Sequence, residues 1–111
     1  MDVQLRQEII KFAKKRQLAY YSELAPIVRL DLSDPHQRKL MGEYLGEISE
    51  HEHSADRPLL SAIVVDKSTK EPGKGFFTLA RDLQIFAGES ERAFFERECQ
   101  RVFDHWSSQE G

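Results

Sequence analysis

The sequence predicts a mainly helical α+β domain: a winged helix-turn-helix-like core with a small β hairpin, followed by two C-terminal helices. Three observations predict this class. Apolar residues recur at helical spacing over most of the chain. A near-continuous apolar run covers residues 59–66, and a lysine-rich turn with Pro and Gly follows it. With 111 residues, the chain has the size of a single domain, which we divide into a core (residues 1–77) and a helical extension (78–111).

The first elements of the core are short. Asp2 is a suitable N-cap for the first helix. Residues 18–21 are apolar and aromatic, which favours a brief strand. Ser22 then caps a second helix, which Pro26 keeps short because proline interrupts a helix interior.

The third helix has the clearest start signal in the chain. Asp34 is a good N-cap, Pro35 fits the first helical position, and Gln37 can complete a capping box. Gly42 and Gly46 lie one turn apart in this helix. Glycine costs up to about 1 kcal/mol relative to alanine in a helix. The pair therefore predicts close approach of another backbone or of a ligand, and we favour packing.

The hairpin is predicted around the lysine-rich turn. Residues 59–66 form its first strand, buried on both faces, and residues 67–74 form the turn. Phe76 and Phe77 begin the return strand. From Thr78 the spacing is helical again, which predicts the two C-terminal helices.

Charge and cysteine content limit the classes of function. The net charge of -3 excludes bulk attraction to nucleic acid, so any such contact requires a local basic patch. Cys99 is the only cysteine, and we place it on the apolar face of the last helix, while Ser22 and Ser61 are interpreted as a cap and a strand residue. We therefore predict no enzymatic activity and no cofactor. With no secretory leader and no apolar run of membrane length, we predict a cytoplasmic protein without a membrane partner.

Three short segments carry a family resemblance over residues 20–77. They are residues 21–25 (YSELA), residues 39–45 (KLMGEYL), and residues 58–65 (PLLSAIVV) followed by Gly73 and Gly75. This pattern resembles the winged-helix DNA-binding domain of alkylguanine alkyltransferases and alkyltransferase-like proteins, and implies a DNA-binding winged helix. Where the family carries Pro-Cys-His-Arg, this chain has residues 58–61 (PLLS), so alkyl transfer is excluded. The family's helix arginine, which replaces the flipped base, falls on Lys39.

We therefore predict a small non-enzymatic module that binds double-stranded DNA. Lysine and arginine suit phosphate oxygens and guanine edges, and glycines allow close backbone approach. The predicted contacts come from the start of the third helix and from the turn: His36, Arg38, Lys39, Lys67, Lys70, Gly73, Lys74 and Gly75. The alternative is a protein-interaction module, such as an adaptor, an inhibitor or one half of an operon-encoded pair. Its partner would dock on the C-terminal helices, with Phe94 as an exposed anchor.

A remote alternative is a metal-dependent hydrolase or nuclease. His51, His53 and Asp56 carry atoms that can ligate a metal. Residues two apart do not share a face of a helix, so both histidines can chelate one ion only if the helix ends before them. A solvated helix end is the interpretation we prefer, and we predict no bound metal.

Overall fold

The computed structural model describes residues 1–108, which contain five α-helices, two 3₁₀ helices and two short strands. In chain order these are α1 (Val3–Lys14), β1 (Ala19–Tyr20), α2 (Tyr21–Leu24), a first 3₁₀ helix (Ala25–Val28), α3 (Pro35–Ser54), a second 3₁₀ helix (Leu60–Ile63), β2 (Val64–Val65), α4 (Lys74–Asp82) and α5 (Glu91–Ser107). The predicted mainly helical α+β class is confirmed. The end of the predicted C-terminal extension, residues 109–111, lies outside the described residues.

Two of the predicted helix starts are confirmed by their cap hydrogen bonds. The carboxylates of Asp2 and Asp34 each accept a backbone N–H from the first turn of α1 and α3, and Pro35 occupies the first position of α3. The capping box at Gln37 is wrong. Its side-chain oxygen accepts from the backbone N–H of Asp31 at 2.7 Å, while its amide nitrogen donates to Asp34 at 3.1 Å.

The start of α2 differs from the prediction by two residues. The helix begins at Tyr21, before Ser22, and the Ser22 hydroxyl is not its cap. Instead, Glu23 Oε1 accepts a hydrogen bond from the backbone nitrogen of Tyr20 at 2.9 Å. Pro26 lies in the 3₁₀ helix that follows, so the expected interruption of α2 is confirmed.

The predicted hairpin is wrong, because the two strands pair in parallel. Ala19 lies opposite Val64, and Tyr20 lies opposite Val65. Parallel neighbours cannot be joined by a tight turn, so the chain reaches β2 only after α2 and α3. Residues 74–82 coil into α4, which buries Phe76, Phe77 and Ala80 on one helical face. Of the predicted first strand, residues 60–63 form the second 3₁₀ helix, and Val64–Val65 are a strand. Its predicted burial is confirmed for residues 59–65, whereas Asp66 is exposed.

Side chains supply hydrogen bonds to the buried segment 59–62. Buried backbone polar groups need partners, and this segment has little regular structure to provide them. Glu98 of α5 accepts from the Leu59 nitrogen at 2.8 Å, and the Ser49 hydroxyl of α3 accepts from the Ser61 nitrogen at 3.1 Å. The Cys99 thiol donates to the Ala62 carbonyl at 3.4 Å. The segment is thus held between α3 and α5.

A buried ion cluster joins α1 to the C-terminal end of α3. The Glu52 side chain is fully buried, and its carboxylate accepts from Arg6 Nε at 2.8 Å and from Arg57 Nε at 2.6 Å. Burial raises the pKa of Glu52, but the hydrogen bonds and charges of the two guanidinium groups together lower it by a larger amount. The net pKa lies below the ordinary 4.5, so the carboxylate is ionised at neutral pH.

Helix α5 packs against α1 and the second 3₁₀ helix. The predicted exposure of Phe94 is wrong: its side chain is buried and stacks on Phe86, with ring centroids 4.7 Å apart. The reason is that α4 and the chain after it cover a second side of α5. Phe76 of α4 reaches Phe94 at a centroid distance of 5.7 Å.

The surface of residues 1–108 exposes few large apolar side chains. Within that range, Met1 and Val3 are the exposed large hydrophobic residues. None of the helices described there combines the length and the apolar composition that a membrane crossing needs. Phe94, which was predicted to be an aromatic anchor for a protein partner, is not among the exposed residues.

The ion cluster predicts a large effect of Glu52→Gln on stability. Glutamine leaves two partly buried guanidinium groups without their counter-charge, and breaking such a pair costs about 3 kcal/mol or more. Because the pKa of Glu52 is lower in the folded state, its contribution is full above pH 4.5 and is lost as pH falls through the folded value. Urea denaturation at several pH values should show that the variant has a much lower free energy of unfolding at neutral pH. Its free energy of unfolding should also fall less steeply toward acid pH than that of the wild type. The exposed neighbour Glu50→Gln should change the free energy of unfolding by less than about 0.5 kcal/mol.

Candidate nucleic-acid interface

A cleft of about 950 Å³ opens between α3, the start of α4 and residues 66–73, which we call the loop 66–73. Met41 and Leu45 of α3 and Phe76 and Phe77 of α4 form an apolar floor. The floor belongs to the hydrophobic core, so its position is fixed by core packing.

Three glycines keep this cleft open. Gly42 and Gly46 of α3 and Gly75 of α4 line it, and a Cβ atom added at any of them would meet no atom within 4 Å. The predicted packing of another backbone against Gly42 and Gly46 is therefore wrong. The alternative that we named, approach of a ligand, is compatible with this open space.

Three cations line the cleft without a carboxylate partner. Arg38 comes from the first turn of α3, Lys67 lies in the loop 66–73, and Lys74 directly follows that loop as the first residue of α4. All three are exposed, and within the described part of the chain none of them makes an ion pair. The structure thus brings the two predicted basic segments to one place.

The acidic side chains that line the cleft are engaged by other groups. Asp66 accepts from the Ser68 hydroxyl and backbone nitrogen and from the Thr69 nitrogen, and these bonds lower its pKa, the hydroxyl most. Glu71 lies 3.5 Å from Arg92, and Glu91 lies 3.2 Å from Arg81. Asp66 keeps its negative charge, because its donors are neutral, whereas Glu71 and Glu91 each have an arginine partner. The three unpaired cations therefore outnumber the one cleft carboxylate that has no cationic partner.

Two tyrosines hold the loop 66–73. The Lys70 ammonium donates to the Tyr20 hydroxyl and lies 4.2 Å from the centroid of the Tyr20 ring. The Gly73 nitrogen donates to the Tyr21 hydroxyl at 2.8 Å. Burial raises the pKa of Tyr21, the Gly73 bond lowers it less, and the phenol stays neutral at physiological pH. Lys70 does not line the cleft, and neither tyrosine was predicted as a site residue.

The remaining predicted residues lie at different distances from the cleft. Gly73 lines it, whereas His36 and Lys39 are exposed at the start of α3 and do not. At the other end, α3 continues through Ser54, so His51 and His53 are both helical and do not share a face. Asp56 is exposed just beyond α3. Within residues 1–108, no three His, Cys, Asp or Glu side chains form a group that could hold a metal ion.

Of the candidate nucleophiles, Ser61 and Cys99 are buried, whereas Ser22 is exposed and lines the cleft. The Ser61 and Ser49 hydroxyls lie 2.6 Å apart and bond to each other. Cys99 is buried against the Ala62 carbonyl, and burial, followed by the charge of Glu98, raises the pKa of its thiol to about 12. A thiol in this state carries almost no thiolate at neutral pH, and the thiolate is the nucleophile.

No known protein family, curated protein or solved structure matches this chain. The resemblance to alkyltransferase-like proteins and the winged-helix identity therefore stay predictions. Leu59 and Leu60, which stand where that family has its Cys and His, are fully buried.

The open space at Gly46 predicts that Gly46→Ala stabilises the protein. Alanine gains about 1 kcal/mol over glycine in a helix, and its methyl group would enter the cleft without a clash. Thermal or urea denaturation measures this gain. The control, Gly88→Ala, places a side chain at φ 84 and should destabilise by about 1 kcal/mol. A destabilised Gly46→Ala variant would mean that α3 packs closely at this position.

Burial of Cys99 predicts that the folded protein resists thiol reagents. A disulfide reagent at pH 8 should release almost no chromophore from native protein and one equivalent from urea-denatured protein, because unfolding restores the ordinary thiol pKa. Rapid modification of the native protein would contradict the buried position.

Proposed function

We propose that this protein is a small, non-enzymatic DNA-binding module that contacts the phosphate backbone at the mouth of the cleft. The observation that supports it is the convergence of Arg38 with Lys67 and Lys74 around one cleft, each without a carboxylate partner among the described residues. Lysine and arginine contacts to phosphate provide most of the affinity for DNA.

The start of α4 adds to the attraction for an anion. Its N-cap is Gly73, which has no side chain to accept from the first-turn amides, and the first turn contains no acidic residue. The N-terminus of a helix carries a partial positive charge. Lys74 is the first residue of α4, so its ammonium group and this partial charge act on the same side of the cleft.

Only the first two turns of α3, before Glu43, fit against DNA. Farther along the helix, Glu43, Glu47 and Glu50 are exposed, and carboxylates repel phosphate. Glu52 does not belong to this acidic surface, because it is buried and paired with two arginines. His36 and Lys39 lie at the basic end, beside Arg38, and can contact the backbone as the duplex continues.

Removing the charges of Lys67 and Lys74 tests the proposal. The double variant Lys67→Gln/Lys74→Gln should weaken binding to random-sequence duplex about tenfold or more at low salt. It should also reduce the slope of log affinity against log salt by about 2, since each lysine that no longer neutralises a phosphate lowers the slope by about one unit. Fluorescence polarisation with labelled duplex, over a series of salt concentrations, measures both quantities.

The matched control is Lys11→Gln/Lys15→Gln on and just after α1, which removes the same charge from exposed positions that do not line the cleft. It should change the affinity for duplex DNA by less than about threefold, and the slope of log affinity against log salt should stay close to that of the wild type. Equal losses in both double variants would show that net charge alone drives binding. If the wild-type protein shows no salt-sensitive binding at micromolar concentration and low salt, the proposed function is wrong.

A further inference from the structure

We propose that Tyr20 and Tyr21 are positioning residues that clamp the loop 66–73 at the edge of the cleft. The clamp holds Lys67 and Lys74 where they face a phosphate backbone. The role in binding rests on the proposed function, whereas the clamp itself does not.

The parallel pairing of β1 and β2 brings the two tyrosines to the loop. Because Tyr20 lies opposite Val65, both strands end at the same edge. The chain after β1 continues with Tyr21, and the chain after β2 continues with Asp66. Two segments far apart in sequence therefore meet side by side, and the tyrosine side chains face the loop.

The clamp has two anchors along the loop. Tyr20 binds its middle, through the ring and hydroxyl contacts with Lys70, and Tyr21 binds its end, at the Gly73 nitrogen. Lys70 has a φ of 60, a left-handed conformation that is unfavourable for a non-glycine residue. The contact of its ammonium group with the Tyr20 ring offsets part of this cost.

Two other contacts join the loop to the rest of the protein. Pro72 is its buried residue, and the exposed side chain of Glu71 pairs with Arg92 of α5 at 3.5 Å. The loop also bonds within itself: the Asp66 nitrogen donates to the Glu71 carbonyl at 2.9 Å, and the Lys70 nitrogen donates to the Asp66 carbonyl at 2.8 Å. These internal bonds keep the loop compact but do not set its position relative to α3. The contacts of Tyr20 and Tyr21 help to set that position. A loop that is already in position does not lose further conformational entropy when a ligand binds.

The test is Tyr21→Phe, which removes the hydroxyl and keeps the ring. Hydrogen exchange of the Gly73 amide, followed by NMR, should become about tenfold faster or more, because that amide loses its acceptor. Affinity for duplex DNA should fall about threefold or more, and the salt slope should also fall, since the lysines no longer meet the backbone together. A variant that was merely less stable would bind with a smaller active fraction and an unchanged slope. The control is Tyr44→Phe, at a half-buried tyrosine of α3 outside the cleft lining, which should change none of these three quantities.

Lys70→Met tests the other anchor at an exposed position that does not contribute to the core. It should accelerate exchange of the loop amides, and this exchange is the readout, since the loss of a lysine charge can by itself lower the salt slope. Unchanged Gly73 exchange in Tyr21→Phe overturns the clamp, whatever the protein binds. Faster exchange with unchanged DNA affinity and slope overturns the positioning role. If the wild-type protein binds no DNA, the proposed function and the positioning role both fail, and the exchange result still decides the clamp.

Discussion

The fold depends on burying an irregular segment at its centre. Residues 59–62 lie between α3 and α5 with almost no sheet or helix ladder to satisfy their backbone, so the surrounding helices supply polar side chains. Glu98 and Ser49 are buried for this purpose, and a buried carboxylate is tolerated only when it is hydrogen-bonded or paired. Arg101 pairs with the other oxygen of Glu98, at 2.7 Å. The buried polar side chains thus help to hold this segment between α3 and α5.

The same segment determines where the cleft forms. It leads directly into β2, and the end of β2 fixes where the loop 66–73 leaves the core. One wall of the cleft is α3, which Glu52 holds against α1 through Arg6. The charges differ between the two parts of the molecule. The arginines of α1 and α5 are paired with carboxylates, whereas Arg38 of α3 and the lysines beside the loop make no ion pair among the described residues.

Local signals in the sequence predict local structure well. Asp2 and Asp34 mark helix starts, because capping involves residues two or three apart. The run 59–66 predicts burial but not conformation, since a buried strand and a buried 3₁₀ helix share the same apolar pattern. The basic residues of the candidate site were identified from composition, whereas its tyrosines were not. Their role depends on strand pairing and on contacts 50 and 52 residues away in sequence, for which a single sequence carries no periodic signal.

The packing of α1 has a consequence for synthesis of the chain. Its apolar face, with Leu5 and Ile9 at the centre, is covered by α5 and by the second 3₁₀ helix, both made much later. On the ribosome, the part of this face that α5 covers stays exposed until α5 has left the exit tunnel. The folding unit therefore includes both helices, and a nascent chain released before α5 would expose the surface that chaperones recognise.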